Sequence, residues 1–142
     1  MAGSTLADLG TLATAITNNQ FSNDTGITTI AVTDTTIDAT TLLARIDSYD
    51  TINGVSGTTD MTLASGATIN LDASEITDML ADETANRLTI SDQAITVTGA
   101  ITVDNSNLLA AVTSGKLTAT IATTETVTEL ATLSADGGTN DL

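Results

Sequence analysis

Two alternations of apolar and polar residues take turns along this chain. One has the helical spacing i, i+3, i+4, i+7 and the other has period two. Leu6, Leu9, Leu12, Ala13 and Ile16 make the first helical stripe. Later stripes are Leu42, Leu43 and Ile46, then Ile76, Met79 and Leu80, then Leu108, Leu109 and Val112. Val127, Leu130, Ala131 and Leu133 make the last. Each stripe gives a helix one buried face. Between the stripes, apolar residues alternate with threonine and other small residues. Ile30 and Val32, Met61 and Leu63, Ile69 and Leu71, and Leu88 and Ile90 do so. Ile95 and Val97, Ile101 and Val103, and Leu117, Ala119 and Ile121 complete the set. Threonine and β-branched residues suit a pleated, half-buried surface, so the spacing predicts strands with one face inward. Asn53-Gly54, Ser65-Gly66, Ser91-Asp92 and Thr98-Gly99 supply turn chemistry between them.

Where a strand pattern meets a helix stripe, one short phrase recurs. Its copies are Thr36-Ile37-Asp38-Ala39-Thr40-Thr41-Leu42-Leu43, Asn70-Leu71-Asp72-Ala73-Ser74-Glu75-Ile76, Thr102-Val103-Asp104-Asn105-Ser106-Asn107-Leu108-Leu109 and Thr120-Ile121-Ala122-Thr123-Thr124-Glu125-Thr126-Val127. Asp38, Asp72, Asp104 and Thr123 each stand four residues before the first apolar anchor. There a side-chain oxygen can accept from the free amides of the first helical turn, so all four are expected helix caps. Asp72 with Glu75 has the spacing of a capping box.

The unit reads as helix, strand, turn, strand. Its anchors lie 34 residues apart from Leu42 to Ile76, 32 from Ile76 to Leu108, and 19 from Leu108 to Val127. One unit cannot bury both its strands and its helix, whereas stacked units share a continuous core. The expected fold is therefore α/β: a repetitive solenoid, each coil a helix plus one to three short strands, with helices along one side. The expected core comprises Leu42, Leu43, Ile46, Ile76, Leu80, Leu108, Leu109, Val112, Val127 and Leu130. Residues 1–4 read as an added leader, 5–134 as one repeat domain, and 135–142 as a flexible acidic tail. The rival architecture is a closed α+β domain.

Composition sharpens this picture. The chain has 142 residues, with Phe21 and Tyr49 as its aromatics and no proline or cysteine. Small, branched apolar residues must supply the buried volume, which favours thin stacked layers over a thick interior. Hydrophobic residues make up 41%, unlike a typical disordered chain. Eighteen acidic residues face Arg45, Arg87 and Lys116, for a net charge of −15. That balance disfavours nucleic acid and anionic membranes as partners, since both select basic surfaces. No apolar run is long enough to cross a bilayer, and no signal peptide is read at the start.

Candidate chemistry is sparse. With no histidine or cysteine, the commonest general bases and thiol nucleophiles are missing. No enzyme is expected. Asp78, Asp82 and Glu83 could stand for paired glycosidase carboxylates, but their spacing predicts a solvated helix face opposite the apolar stripe. No cofactor or metal site is assigned. Calcium is the ion that the abundant oxygen donors would admit, and Asp136-Gly137-Gly138-Thr139-Asn140-Asp141 comes nearest to a calcium repeat. It occurs once and reads as tail. Thr96-Val97-Thr98, Thr118-Ala119-Thr120 and Thr126-Val127-Thr128 have the form of ice-binding ranks, yet they fall at different points of the repeat.

The phrases Ile37-Asp38-Ala39-Thr40, Leu71-Asp72-Ala73-Ser74 and, more loosely, Val103-Asp104-Asn105-Ser106 carry a resemblance. With neighbours rich in threonine, alanine and leucine, the chain from 27 to 133 resembles repeats of very large cell-surface and adhesin-like proteins of cyanobacteria and other marine bacteria. The resemblance implies an α/β solenoid, secreted to the cell surface within a long chain. It implies no catalytic residue. The short fourth unit and the polar Asn18-Asn19-Gln20-Phe21 stretch depart from a regular repeat.

The leading expectation is a structural stalk or spacer whose partners are adjacent repeats or other copies of itself. An alternative is a filament or surface-layer subunit stacking end to end, which helices over residues 5–16 and 124–134 would block by covering the ends. A second alternative is calcium or glycan binding through the loops around residues 50–60.

Overall fold

A computed structural model of the chain describes residues 3–18, 29–53, 60–134 and 140–142. Along the chain come α1 (Leu6–Thr17), β1 (Thr29–Ala31), β2 (Thr36–Asp38), α2 (Ala39–Asn53), β3 (Asp60–Thr62) and β4 (Thr68–Asp72). A 3-10 turn at Ala73–Glu75 leads into α3 (Ile76–Thr84). After it come β5 (Leu88–Thr89), β6 (Ala94–Ile101), α4 (Val103–Val112), β7 (Leu117–Ile121) and α5 (Val127–Leu130). The protein is α/β, with two parallel sheets and five α-helices among the described residues.

One sheet has the order β1-β3-β5 and the other β2-β4-β6-β7. Every pairing between these strands is parallel. Parallel strands need a crossover rather than a hairpin. Helices α2, α3 and α4 each lie between two neighbouring strands of the four-stranded sheet. Sheet order therefore matches chain order.

The registers stack like on like. Ile37 pairs with Ile69, Ile69 with Ile95, and Ile95 with Leu117. In the other sheet Ile30 pairs with Met61 and Met61 with Leu88. All seven side chains are buried in one core cluster, with Leu9, Leu42, Ile46, Ile76, Met79 and Leu109 from the helices. Because side chains alternate across a strand, a one-residue slip would move a whole column to the solvent side. Burial of these columns thus fixes the register.

Both ends of the described chain join the sheets. Ser4 bridges Val32, donating from its amide to Ala31 O at 2.9 Å and accepting from Thr33 N at 3.1 Å. Asp141 bridges Thr118, with Asp141 N donating to Leu117 O at 2.8 Å. Ser4 and Asp141 therefore take part in the sheets. Residues 135–139 lie outside the described residues, as do Phe21 and the loop at 54–59.

Other expectations need correction. Thr98-Gly99 is not a turn but lies within β6, which continues to Ile101. Val103 opens α4 rather than ending a strand. Leu108 is 52% exposed, Val127 84% and Leu130 42%, so none of these three is core. In α4 the buried positions are Val103, Ser106 and Leu109, a stripe turned by one residue from the expected one. The last helix has a single turn and no further helix beyond it among the described residues, which leaves Val127 and Leu130 uncovered. Leu43, Leu80 and Val112 are half-buried against the core.

Candidate functional site

The feature with most scope for recognition is a groove between α3 and α4, and the strand that leads into α4, β6, is irregular. Asp72 pairs with Thr98, but the cap at the start of the α3 turn is Asp72 itself while the cap of α4 is Thr102. So the helical path of the α4 unit starts four residues later in the ladder than that of α3. Towards β7 the register runs from Thr96↔Thr118 to Ala100↔Thr120, so β6 carries two extra residues there. A bulge of this kind bends the strand and re-aims the chain beyond it. Gly99 sits in it at φ +94°, and a Cβ there would meet Ala73 Cβ at 3.2 Å. Glycine fits both the dihedral and the close approach.

Between α3 and α4 lies a groove of about 580 Å³. Leu80, Ala81 and Ala85 line it from α3 and its C-terminus, and Leu108, Ala111 and Val112 from α4. Glu83 is the charged residue on its wall. Most of the lining is apolar, with short alanine walls around the larger leucines.

On the other side of α3, between it and α2, the lining is polar. Arg87 Nη2 lies 2.9 Å from Asp47 Oδ1, and Nη1 lies 2.9 Å from Asp82 Oδ1. Asp82 is 7% exposed, so it does not belong to a solvated face as its spacing suggested. A buried carboxylate needs a charge partner and hydrogen bonds to be tolerable, and Arg87 provides one while tying α3 to α2. Asp78 is exposed and Glu83 half-buried, both on the outer part of α3. The arrangement is an ion-pair clamp between α2 and α3.

The caps divide two and two. Asp38 Oδ2 accepts from Thr41 N at 3.0 Å and from the Thr41 hydroxyl at 2.7 Å. Asp72 accepts from Ser74 N at 2.9 Å, while Glu75 accepts from Asp72 N at 2.9 Å. The Ser74 amide and then its hydroxyl hold the Asp72 carboxyl below the ordinary aspartate range. Asp104, by contrast, lies in the first turn of α4, where Thr102 accepts from Asn105 N at 3.2 Å. Thr123 also lies outside its helix, because Thr126 caps α5 in a box with Glu129. A similar box, Thr5 with Asp8, starts α1. The Thr-x-x-Glu and Thr-x-x-Asp spacings of these two boxes were the signal available in the sequence.

Between β5 and β6, Gln93 is buried and links this corner to the one between β3 and β4. Its Oε1 accepts from Ser91 N at 2.7 Å, and its Nε2 donates to Ala64 O at 3.0 Å. Buried Thr113 donates to Gln93 O at 2.6 Å and accepts from Gly115 N at 2.9 Å. Asp92, held low by the Ser65 hydroxyl and then the Gly66 amide, completes this seam. Each of these groups has a structural partner, so the corner holds shape rather than presenting chemistry.

No protein-family model, curated protein or solved structure matches this chain. Its functional reading therefore rests on residues and geometry. The described residues hold no group of three or more His, Cys, Asp or Glu placed to bind a metal ion. Among them, no helix is long and apolar enough to cross a membrane. Of the threonine ranks, Thr96 and Thr118 are in register, but Thr120 faces Ala100 because of the bulge. The second rank is broken at that point. The loop around residues 50–60, considered for ligand binding, lies largely outside the described residues.

Proposed function

We propose that the chain is an α/β-solenoid module, acting as a stalk or spacer in a secreted bacterial surface protein and carrying out no catalysis of its own. The observation that supports this reading most is the unbroken column Ile37-Ile69-Ile95-Leu117 beside Ile30-Met61-Leu88. Strands from successive units add in chain order, and the helices return each unit to the next rung. Such stacking gives stability as a sum of neighbour contacts and resists bending through its ladders. The Arg87 clamp and the Gln93 corner add links between units. Dense negative charge keeps a long array soluble and dispersed.

Filament formation by end-to-end stacking is the second reading, and the two ends bear on it differently. At the N-terminal end α1 packs on α2, and its exposed positions Ala7, Thr11 and Thr14 are small or polar. Thr11 and Thr14 donate to carbonyls one turn back, at 3.2 and 2.9 Å. Such a surface suits a cap. At the other end Val127 and Leu130 are uncovered, which favours contact there. Light scattering with small-angle X-ray scattering separates the readings. The stalk reading expects an elongated monomer of 14.3 kDa, unchanged by calcium. Rods that lengthen with concentration would replace it with the filament reading, and a calcium-dependent change of shape would count against both.

A further inference from the structure

We propose that the α3–α4 groove docks a cationic amphipathic helix of a partner protein. Its apolar lining and its surroundings together select that chemistry. The groove offers half-buried Leu80 and Val112 beside Leu108, which is 52% exposed. Ala81, Ala85 and Ala111 keep the walls low, which leaves room for side chains of leucine size. Two adjacent helices with an apolar furrow between them form the helix-in-groove arrangement, read by a guest through anchors at i, i+3 or i+4, and i+7. Helix α3 has 9 residues and α4 has 10. At 1.5 Å per residue they run about 15 Å, enough for roughly three turns of a guest helix.

Charge then decides the kind of guest. Glu83 stands on the groove wall, and Asp104 is exposed in the first turn of α4. The chain's three cations are engaged elsewhere. Arg45 donates to Leu6 O at 3.2 Å, Arg87 grips Asp47 and Asp82, and Lys116 lies 3.6 Å from Asp141. The field over the groove is therefore negative, on a chain of net charge −15. A second copy would bring like charge to this rim, and an anionic lipid surface would be repelled as well. A helix with leucines on one face and lysine or arginine on its flanks satisfies both the furrow and the rim.

A labelled peptide of about four turns, alternating Leu and Lys at helical spacing, tests this by fluorescence anisotropy, with a scrambled peptide of equal composition as control. Saturable binding is expected, weakening as salt rises, and roughly tenfold or more weaker for the scrambled peptide. Ala111→Trp fills the furrow without altering charge, and it should cost at least about tenfold in affinity. Leu108→Gln, at an exposed position, should also weaken binding, and it carries the test if the tryptophan variant does not fold. Absence of binding would overturn the proposal outright, and equal binding of the scrambled peptide or unchanged affinity in the folded variants would overturn it in favour of bulk charge attraction. Self-association abolished by Ala111→Trp would overturn it in favour of a second copy.

Discussion

Replacing Ile69 by alanine tests the ladder at its centre. Ile69 has no exposure and lies between Ile37 on one side and Ile95 on the other. The substitution removes about three carbons, at about 0.8 kcal/mol for each buried methylene. With the cavity left behind, the expected loss is about 2.5–4.5 kcal/mol. Ile95→Ala and Ile37→Ala fall in the same range, so single losses do not report register. Coupling does. Side chains on adjacent strands share one cavity when both are cut, and their losses should depart from additivity by about 0.5–1.5 kcal/mol. Ile37 and Ile95 belong to strands two rungs apart, about 9–10 Å, and should add to within about 0.5 kcal/mol. Urea unfolding, tracked by far-UV circular dichroism on the singles and on the adjacent and separated doubles, measures each of these quantities. Equal coupling for the adjacent and the separated pair would refute the register.

Three other perturbations probe separate parts of the fold. Gly115→Ala would place a Cβ within 2.8 Å of Ala94 N and closer still to the Gln93 carbonyl, so the corner must shift. A loss of about 1–3 kcal/mol in chemical unfolding is expected, and a neutral result would contradict the tight corner. Tyr49 is buried, and its hydroxyl has no hydrogen-bond partner among the described residues. Tyr49→Phe should therefore raise the melting temperature, by an amount matching about 1 kcal/mol, whereas a fall would mean that the hydroxyl is satisfied. Stability should also drop in acid. Asp8, Asp72 and Asp92 sit below the ordinary 3.8, and Glu129 below 4.5, through hydrogen bonds to Thr5, Ser74, Ser65 and Thr126 respectively. Depressed folded values mean that the contribution is complete above the unfolded values and is lost as pH falls through the folded ones. Melting temperatures should be flat above about pH 5 and fall below about pH 4. Asp72→Asn should flatten part of that fall, and an unchanged acid slope would contradict its capping role.

Legibility in the sequence depends on how local each signal is. Ile69 and Leu71 declare a strand by alternation alone, and both are buried in β4. Asp38 and Asp72 cap where expected because strand and helix meet there without extra residues. Before α4 the buried position four residues after the cap is Ser106, so counting back from the exposed Leu108 arrives at Asp104 rather than Thr102. The helix also turns, since Ser106 is small enough to be buried at a stripe position. Pattern alone assigns a serine to the outer face. Exposure of Val127 and Leu130 depends on what lies beyond α5, which periodicity does not encode. The groove was hidden for a related reason. It lies between two helices whose starts differ by four residues in the ladder, an offset that becomes visible only once the strands are paired. Nor did the spacing on α3 reveal that Asp82 is buried, because its partner Arg87 enters from the turn after the helix.

The most direct test of the parallel ladder uses the absence of cysteine in the chain. Asn70 and Thr96 are register partners on β4 and β6, whereas Asp38 and Thr96 lie two strands apart. Disulfides need Cα atoms within about 7 Å, which adjacent strands satisfy and next-nearest strands do not. Under mild oxidation the account expects Asn70→Cys with Thr96→Cys to cross-link within one chain, and Asp38→Cys with Thr96→Cys to stay reduced. Cross-linking of the second pair, or failure of the first in a folded chain, would contradict it.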